Sequence, residues 1–139
     1  MQILGVGIDI VENLRLKNLI KNKKFIDRVF SKSEVLKSKK INNKLAFFSK
    51  RFAAKEAFSK AMGSGIGLEL NFKDISINND NYGKPLIKIN KKIKNIFKKK
   101  YRINNLNVHL SISDEKKYSI AIVVLERLWK TLSYFLLKI

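Results

Sequence analysis

Apolar and polar positions alternate with a period of two near the start of the chain. Ile8 and Ile10 fall on one side and Gly5, Gly7 and Asp9 on the other, which predicts a strand over residues 3–11. That alternation sets a carboxylate between glycines on an open face. After Asn13 the spacing of Leu14, Leu16, Leu19 and Ile20 predicts a short basic helix. Another begins at Ser31, where Ser31 and Glu34 have capping-box spacing. The longest helical period spans residues 44–62, with Leu45, Phe48, Phe52 and Ala46, Ala53, Ala57 and Ala61 recurring every three or four positions. It stops at Gly63-Ser64-Gly65-Ile66-Gly67. Beyond it, residues 74–78 and 85–89 read as strands joined by a turn at Asn79, Asp80, Asn81, Tyr82 and Gly83. Residues 91–101 carry Ile93, Ile96, Phe97 and Tyr101 among lysines, an amphipathic surface helix. Residues 107–113 and 118–126 alternate cleanly around Asp114, Glu115, Lys116 and Lys117, a second hairpin. The order is α+β and lacks regular βαβ repetition, so the expectation is a single compact domain in which antiparallel sheet packs on a long central helix.

Composition narrows the chemistry. With 139 residues and 45% hydrophobic content, one domain with its own core is expected. The absence of cysteine removes disulfide frameworks, thiolate nucleophiles and cysteine-based zinc sites. No apolar run is long enough to span a bilayer, and no basic region precedes the first apolar stretch, so neither a transmembrane segment nor a secretory signal is expected. Thirty basic residues against 11 acidic ones give a net charge of +19, which asks for an acidic partner: nucleic acid, anionic lipid, a phosphorylated ligand or an acidic protein. Lysine drift in a chain also rich in Asn and Ile accounts for the same number equally well.

Because acids are scarce, two of them stand out. Asp9 lies in the apolar run Gly7-Ile8-Asp9-Ile10-Val11, where a carboxylate needs a cation or several donors. Either a lysine or a hard divalent ion would serve. Glu56 precedes Lys60 by one helical turn, which reads either as an ordinary surface ion pair or as a metal carboxylate among the phosphate-binding cations Arg51, Lys55 and Lys60. Gly63 and Gly65 would let the backbone approach an anion, although their spacing is not that of a phosphate-binding loop. His109, the one histidine, shares a strand face with Ser111 and Ser113 and reads as a structural or a site residue; no G-x-S-x-G elbow supports a serine hydrolase.

Four blocks occur in order: Gly5-Val6-Gly7-Ile8-Asp9-Ile10-Val11-Glu12; Arg51-Phe52-Ala53-Ala54-Lys55-Glu56-Ala57-Phe58-Ser59-Lys60-Ala61-Met62-Gly63-Ser64-Gly65-Ile66-Gly67; Gly83-Lys84-Pro85; and His109-Leu110-Ser111-Ile112-Ser113. Together they closely resemble the successive signatures of the holo-acyl-carrier-protein synthases, over roughly residues 3–126. The resemblance implies a 4′-phosphopantetheinyl-transferase-like domain over residues 1–126, a homotrimer with interfacial active sites, and a cytoplasmic role in fatty acid biosynthesis. It implies transfer of 4′-phosphopantetheine from coenzyme A to a serine of acidic acyl carrier protein, with Mg2+ on Asp9 and Glu56 and Lys60 stabilising the leaving side. Arg51, Lys60, Gly63, Gly65, Pro85, His109 and Ser111 match positions that contact coenzyme A, and the basic first helix, with Arg15, Lys21 and Lys24, matches the carrier-docking element. For the base the expectation is a water or the Glu56 carboxylate rather than His109, which is expected to hold the nucleotide.

Two features depart from the family pattern. Asp114 stands where some relatives have a second histidine, and residues 127–139 are an apolar extension past the usual end, for which packing on the assembly is the first expectation and a membrane-surface or disordered segment the alternatives. The rival readings are a nucleic-acid binder, which accounts for the charge but not for Asp9, Glu56 or the glycines, and the same chemistry on a peptidyl or aryl carrier.

Overall fold

The computed structural model describes residues 2–67 and 69–128. The extension expected to pack on the assembly lies, but for its first two residues, outside the described residues. In chain order the elements are β1 (Gln2–Glu12), α1 (Asn13–Leu16), α2 (Lys23–Val29), α3 (Lys32–Ser38), α4 (Lys44–Met62), β2 (Ile75–Asn79), β3 (Pro85–Ile89), α5 (Lys91–Tyr101), β4 (Leu106–Asp114) and β5 (Tyr118–Arg127). Short 3-10 turns occupy Leu19–Lys21 and Phe72–Asp74. The first basic helix is thus broken after Leu16, and α2 is an element that the sequence pattern did not announce.

Each long element forms where its caps and apolar spacing dictate. Asn43 caps α4 by accepting from the Ala46 N–H at 3.0 Å, and Gly63 ends it in the left-handed region at φ 72°. Asn90 caps α5, and Ser31 and Glu34 form the expected capping box on α3. The strands make two antiparallel sheets, one ordered β1-β5-β4 and one pairing β2 with β3.

Helix α4 is buried on nearly every side. On one side Ala53, Ala57 and Ala61, four residues apart, lie under β1 and β5; on the other Phe47 and Phe48 join Ile26, Val29 and Phe30 in a second cluster. The helix–sheet contact depends on absent side chains. A Cβ at Gly7 would overlap the Ala57 carbonyl, and one at Gly5 the Ala61 carbonyl. The face of β1 bearing Gly5, Gly7 and Asp9 is therefore not open, contrary to the reading of the strand pattern. The strand lies directly on α4, and the open face is the other one, where Val6, Ile8 and Ile10 are more than half exposed.

Between α3 and α4 the Lys55 ammonium meets the Glu34 carboxylate at 2.8 Å, both side chains fully buried. Lys55 also donates to the Val29 and Phe72 carbonyls, while Glu34 accepts from the Ser31 and Ile77 N–H groups. One ion pair thus ties together the ends of α2 and α3, the turn before β2, β2 itself and the middle of α4.

Candidate active site

Asp9 projects from the helix-facing side of β1, and the α4 turn bearing Glu56 and Lys60 runs past it. Lys60 Nζ donates to Asp9 Oδ1 at 2.8 Å, with the Asp9 side chain only 14% exposed. Of the two pairings the sequence left open, Lys60 therefore takes Asp9 rather than Glu56 across one helical turn. Burial, and after it the nearby Asp9 carboxylate, push the Glu56 carboxyl upward, with Lys60 opposing. The hydrogen bond to Asp9 holds the Lys60 ammonium above its ordinary range. Two neighbouring carboxylates, one of them made reluctant to ionise by burial and by the other's charge, form with a half-exposed cation a site that favours a second positive charge. Just beyond, the chain leaves α4 through Gly63 and Gly65, both exposed and at positive φ, opposite nothing that would crowd an incoming anion.

A second group lines a cleft of about 490 Å³ between α4, the β2–β3 hairpin and β4. Arg51 and Pro85 lie here with Lys50, Phe47, Asn79 and Asp114. The Arg51 guanidinium stacks 3.5 Å above the Phe47 ring, donates to the Phe47 carbonyl and to Asn79 Oδ1, and keeps its Nε–H without a partner among the described residues. Burial brings it down to about 10, with Glu34 opposing. Asp114 pairs with Lys50 at 3.4 Å on the cleft wall, so the position that departs from the family pattern neutralises a cation beside Arg51.

The third group lies elsewhere. His109 and Ser111 stand on the sheet face turned away from α4, in register with Val124 and Ile122 and, across β5, with Val6 and Ile8. In one copy of the chain the sheet therefore separates His109 and Ser111 from Asp9 and Glu56. His109 Nε2 lies 2.6 Å from Glu126 Oε2, and Asn107 reaches the same oxygen at 3.4 Å. The hydrogen bond from His109 holds the Glu126 carboxyl below its ordinary range. Sequence reading missed Glu126; the signal was present, since hairpin register places it opposite Asn107, two positions from His109. Arg15, Lys21 and Lys24 are all exposed, on α1, the first 3-10 turn and α2.

The donor set bears on magnesium. Among the described residues no group of three or more His, Cys, Asp or Glu could hold a metal. Two neighbouring carboxylates nonetheless suit an ion that binds through one or two carboxylates and fills its other positions with water and substrate phosphate.

Comparison with known proteins shows the family. Residues 5–123 match the family model of the 4′-phosphopantetheinyl transferase superfamily. The holo-[acyl-carrier-protein] synthase of Pelagibacter ubique is 59% identical over 127 residues, covering 91% of this chain and 99% of the relative. Among solved structures, the holo-[acyl-carrier-protein] synthase of Neisseria meningitidis superposes with a TM-score of 0.82 at 35% identity, covering 91% of this chain and all of that one. That of Bacillus anthracis, in complex with coenzyme A (3′,5′-ADP), gives 0.78 at 38% identity over 92% of this chain and all of its own.

Proposed function

The chain belongs to the holo-[acyl-carrier-protein] synthases of the 4′-phosphopantetheinyl transferase superfamily, and on that premise we propose that it moves 4′-phosphopantetheine from coenzyme A onto a serine of apo acyl carrier protein. The observation that carries the reading is the meeting of Asp9, Glu56 and Lys60 at the β1–α4 contact. In the reaction the serine oxygen bonds to the β-phosphorus of coenzyme A, the bridging P–O bond breaks, and adenosine 3′,5′-bisphosphate leaves. Asp9 and Glu56 would hold Mg2+, which when bound supplies charge neutralisation on the diphosphate. Lys60, 55% exposed, is free to swing from Asp9 toward the departing phosphate, where charge develops. A water or the Glu56 carboxylate accepts the serine proton. Arg51 and Pro85 in their cleft, with His109, Ser111 and the glycine turn after α4, bind the nucleotide and diphosphate.

These groups stand on opposite faces of one sheet, and a second copy of the chain resolves the separation. The apolar outer face of β1 and β5, formed by Val6, Ile8, Ile10, Ile120 and Ile122, is the surface such a copy would cover. A homotrimer with a site at each subunit boundary is the assembly proposed. The acidic carrier would dock on Arg15, Lys21 and Lys24, a meeting of opposite charges that speeds encounter. Both substrates are water-soluble, and the role proposed is a cytoplasmic one in fatty acid biosynthesis; no helix among the described residues is long and apolar enough to cross a membrane. The proposal is tested by following adenosine 3′,5′-bisphosphate release with the wild-type chain and Asp9→Ala. Release by the first and not the second is expected; equal release by both would refute the assigned site.

A further inference from the structure

Glu126 is a carboxylate in an unusual place. It lies one residue before the end of β5 on the outer sheet face, is only 8% exposed, and follows Ile120, Ile122 and Val124 along the same row. Nothing in the transfer chemistry described above uses it. Its contacts all converge on one ring: Oε2 lies 2.6 Å from His109 Nε2, and the Asn107 amide, 3.4 Å from the same oxygen, sits 3.2 Å from that nitrogen. An ionised carboxylate only accepts, so Nε2 must carry the proton. Nδ1 then has no partner among the described residues and belongs to a side chain 53% exposed.

We propose that Glu126, assisted by Asn107, is a positioning residue for the transfer reaction: it holds Nε2 of His109 and so presents Nδ1 as the one nitrogen offered to coenzyme A. The hydrogen bond at one imidazole nitrogen sets both the tautomer and the rotation of the ring. Here that bond runs from β4 to β5 through residues fixed by strand register, so the ring is ordered before substrate arrives. Asn107 pairs directly with Glu126 in that register and keeps the carboxylate from turning away. The inference rests on the reading that His109 contacts coenzyme A, and it adds which nitrogen does so and what orients it.

The test exploits the presence of a single histidine in the chain. With 15N-labelled histidine, the ring signals of the neutral side chain report one tautomer unambiguously. The wild-type protein is expected to show a protonated Nε2 and a bare Nδ1. Glu126→Gln is expected to show a mixture of tautomers and to raise KM for coenzyme A about tenfold, the effect of losing one charge-assisted hydrogen bond, with kcat within about twofold. Glu126→Asp, which keeps the charge on a shorter arm, is expected to recover part of the KM; thermal melting of all three proteins establishes that each is folded. An unchanged tautomer and KM in Glu126→Gln, or a loss confined to kcat, would overturn the inference. Failure of the wild-type chain to transfer at all would instead overturn the functional reading beneath it, while the tautomer remained measurable.

Discussion

At Glu56 the protein holds a carboxyl that burial and Asp9 make reluctant to ionise. The sign of its effect on stability follows directly. A carboxyl whose folded pKa is raised binds protons more tightly in the native state, so its contribution falls as pH rises from the unfolded value through the folded one. Metal-free protein should therefore melt higher as pH drops through that window. Glu56→Gln should flatten the dependence, leave metal-free stability at neutral pH equal or greater, and cut transfer by about 10²-fold or more. Mg2+ should raise the melting temperature of the wild-type protein but hardly that of the variant; an equal rise in both would remove Glu56 from the metal site. Single residues were legible to different depths. Asp9 and Glu56 stood out because acids are rare and these two interrupt apolar or helical runs, but that Lys60 turns to Asp9 depends on how β1 lies over α4. That close approach rests on Gly5 and Gly7, whose alternation with apolar residues reads equally well as an open face.

Elements were legible where period and caps agree. Residues Lys44–Met62, Pro85–Ile89 and Lys91–Tyr101 form the helices and strand their patterns predict, to the residue. Helix α2 was not legible, because Lys23–Val29 offers only Phe25, Ile26 and Val29 as an apolar stripe and has no acid in its first turn. Its signal was Asn22, whose side chain accepts from Lys24 N at 2.9 Å as an N-cap. What holds α2 in place is tertiary: the Val29 carbonyl is bound by Lys55, a residue that sequence reading had offered to phosphate. The Glu34–Lys55 pair makes a sharp prediction at this scale. Lys55→Met leaves a carboxylate buried with two N–H donors and no cation, at a cost of about 3–5 kcal/mol. Denaturant unfolding checks this; a loss below about 1 kcal/mol would mean that Glu34 finds other compensation.

Over the whole molecule, charge and shape act together. The α+β class and the central helix were legible, because the alternation of periods two and 3.6 along the chain leaves few other arrangements. The division of the site residues between two sheet faces was not, since it depends on which side of β1 meets α4. That division favours an assembly. Ile8→Asp, on the outer face of β1 and opposite in direction to Asp9, is expected to reduce the sedimenting mass to that of one chain and to abolish transfer; an unchanged mass would mean that this face does not join copies. A net charge of +19 should make kcat/KM for acyl carrier protein fall, by about tenfold, from low to physiological salt, whereas a flat profile would exclude electrostatic docking. The central claim is tested most directly by the intact mass of apo acyl carrier protein after incubation with the chain, coenzyme A and Mg2+, with and without a chelator. The account predicts a gain of one phosphopantetheine that the chelator prevents; no gain, or the same gain with the metal removed, would contradict it.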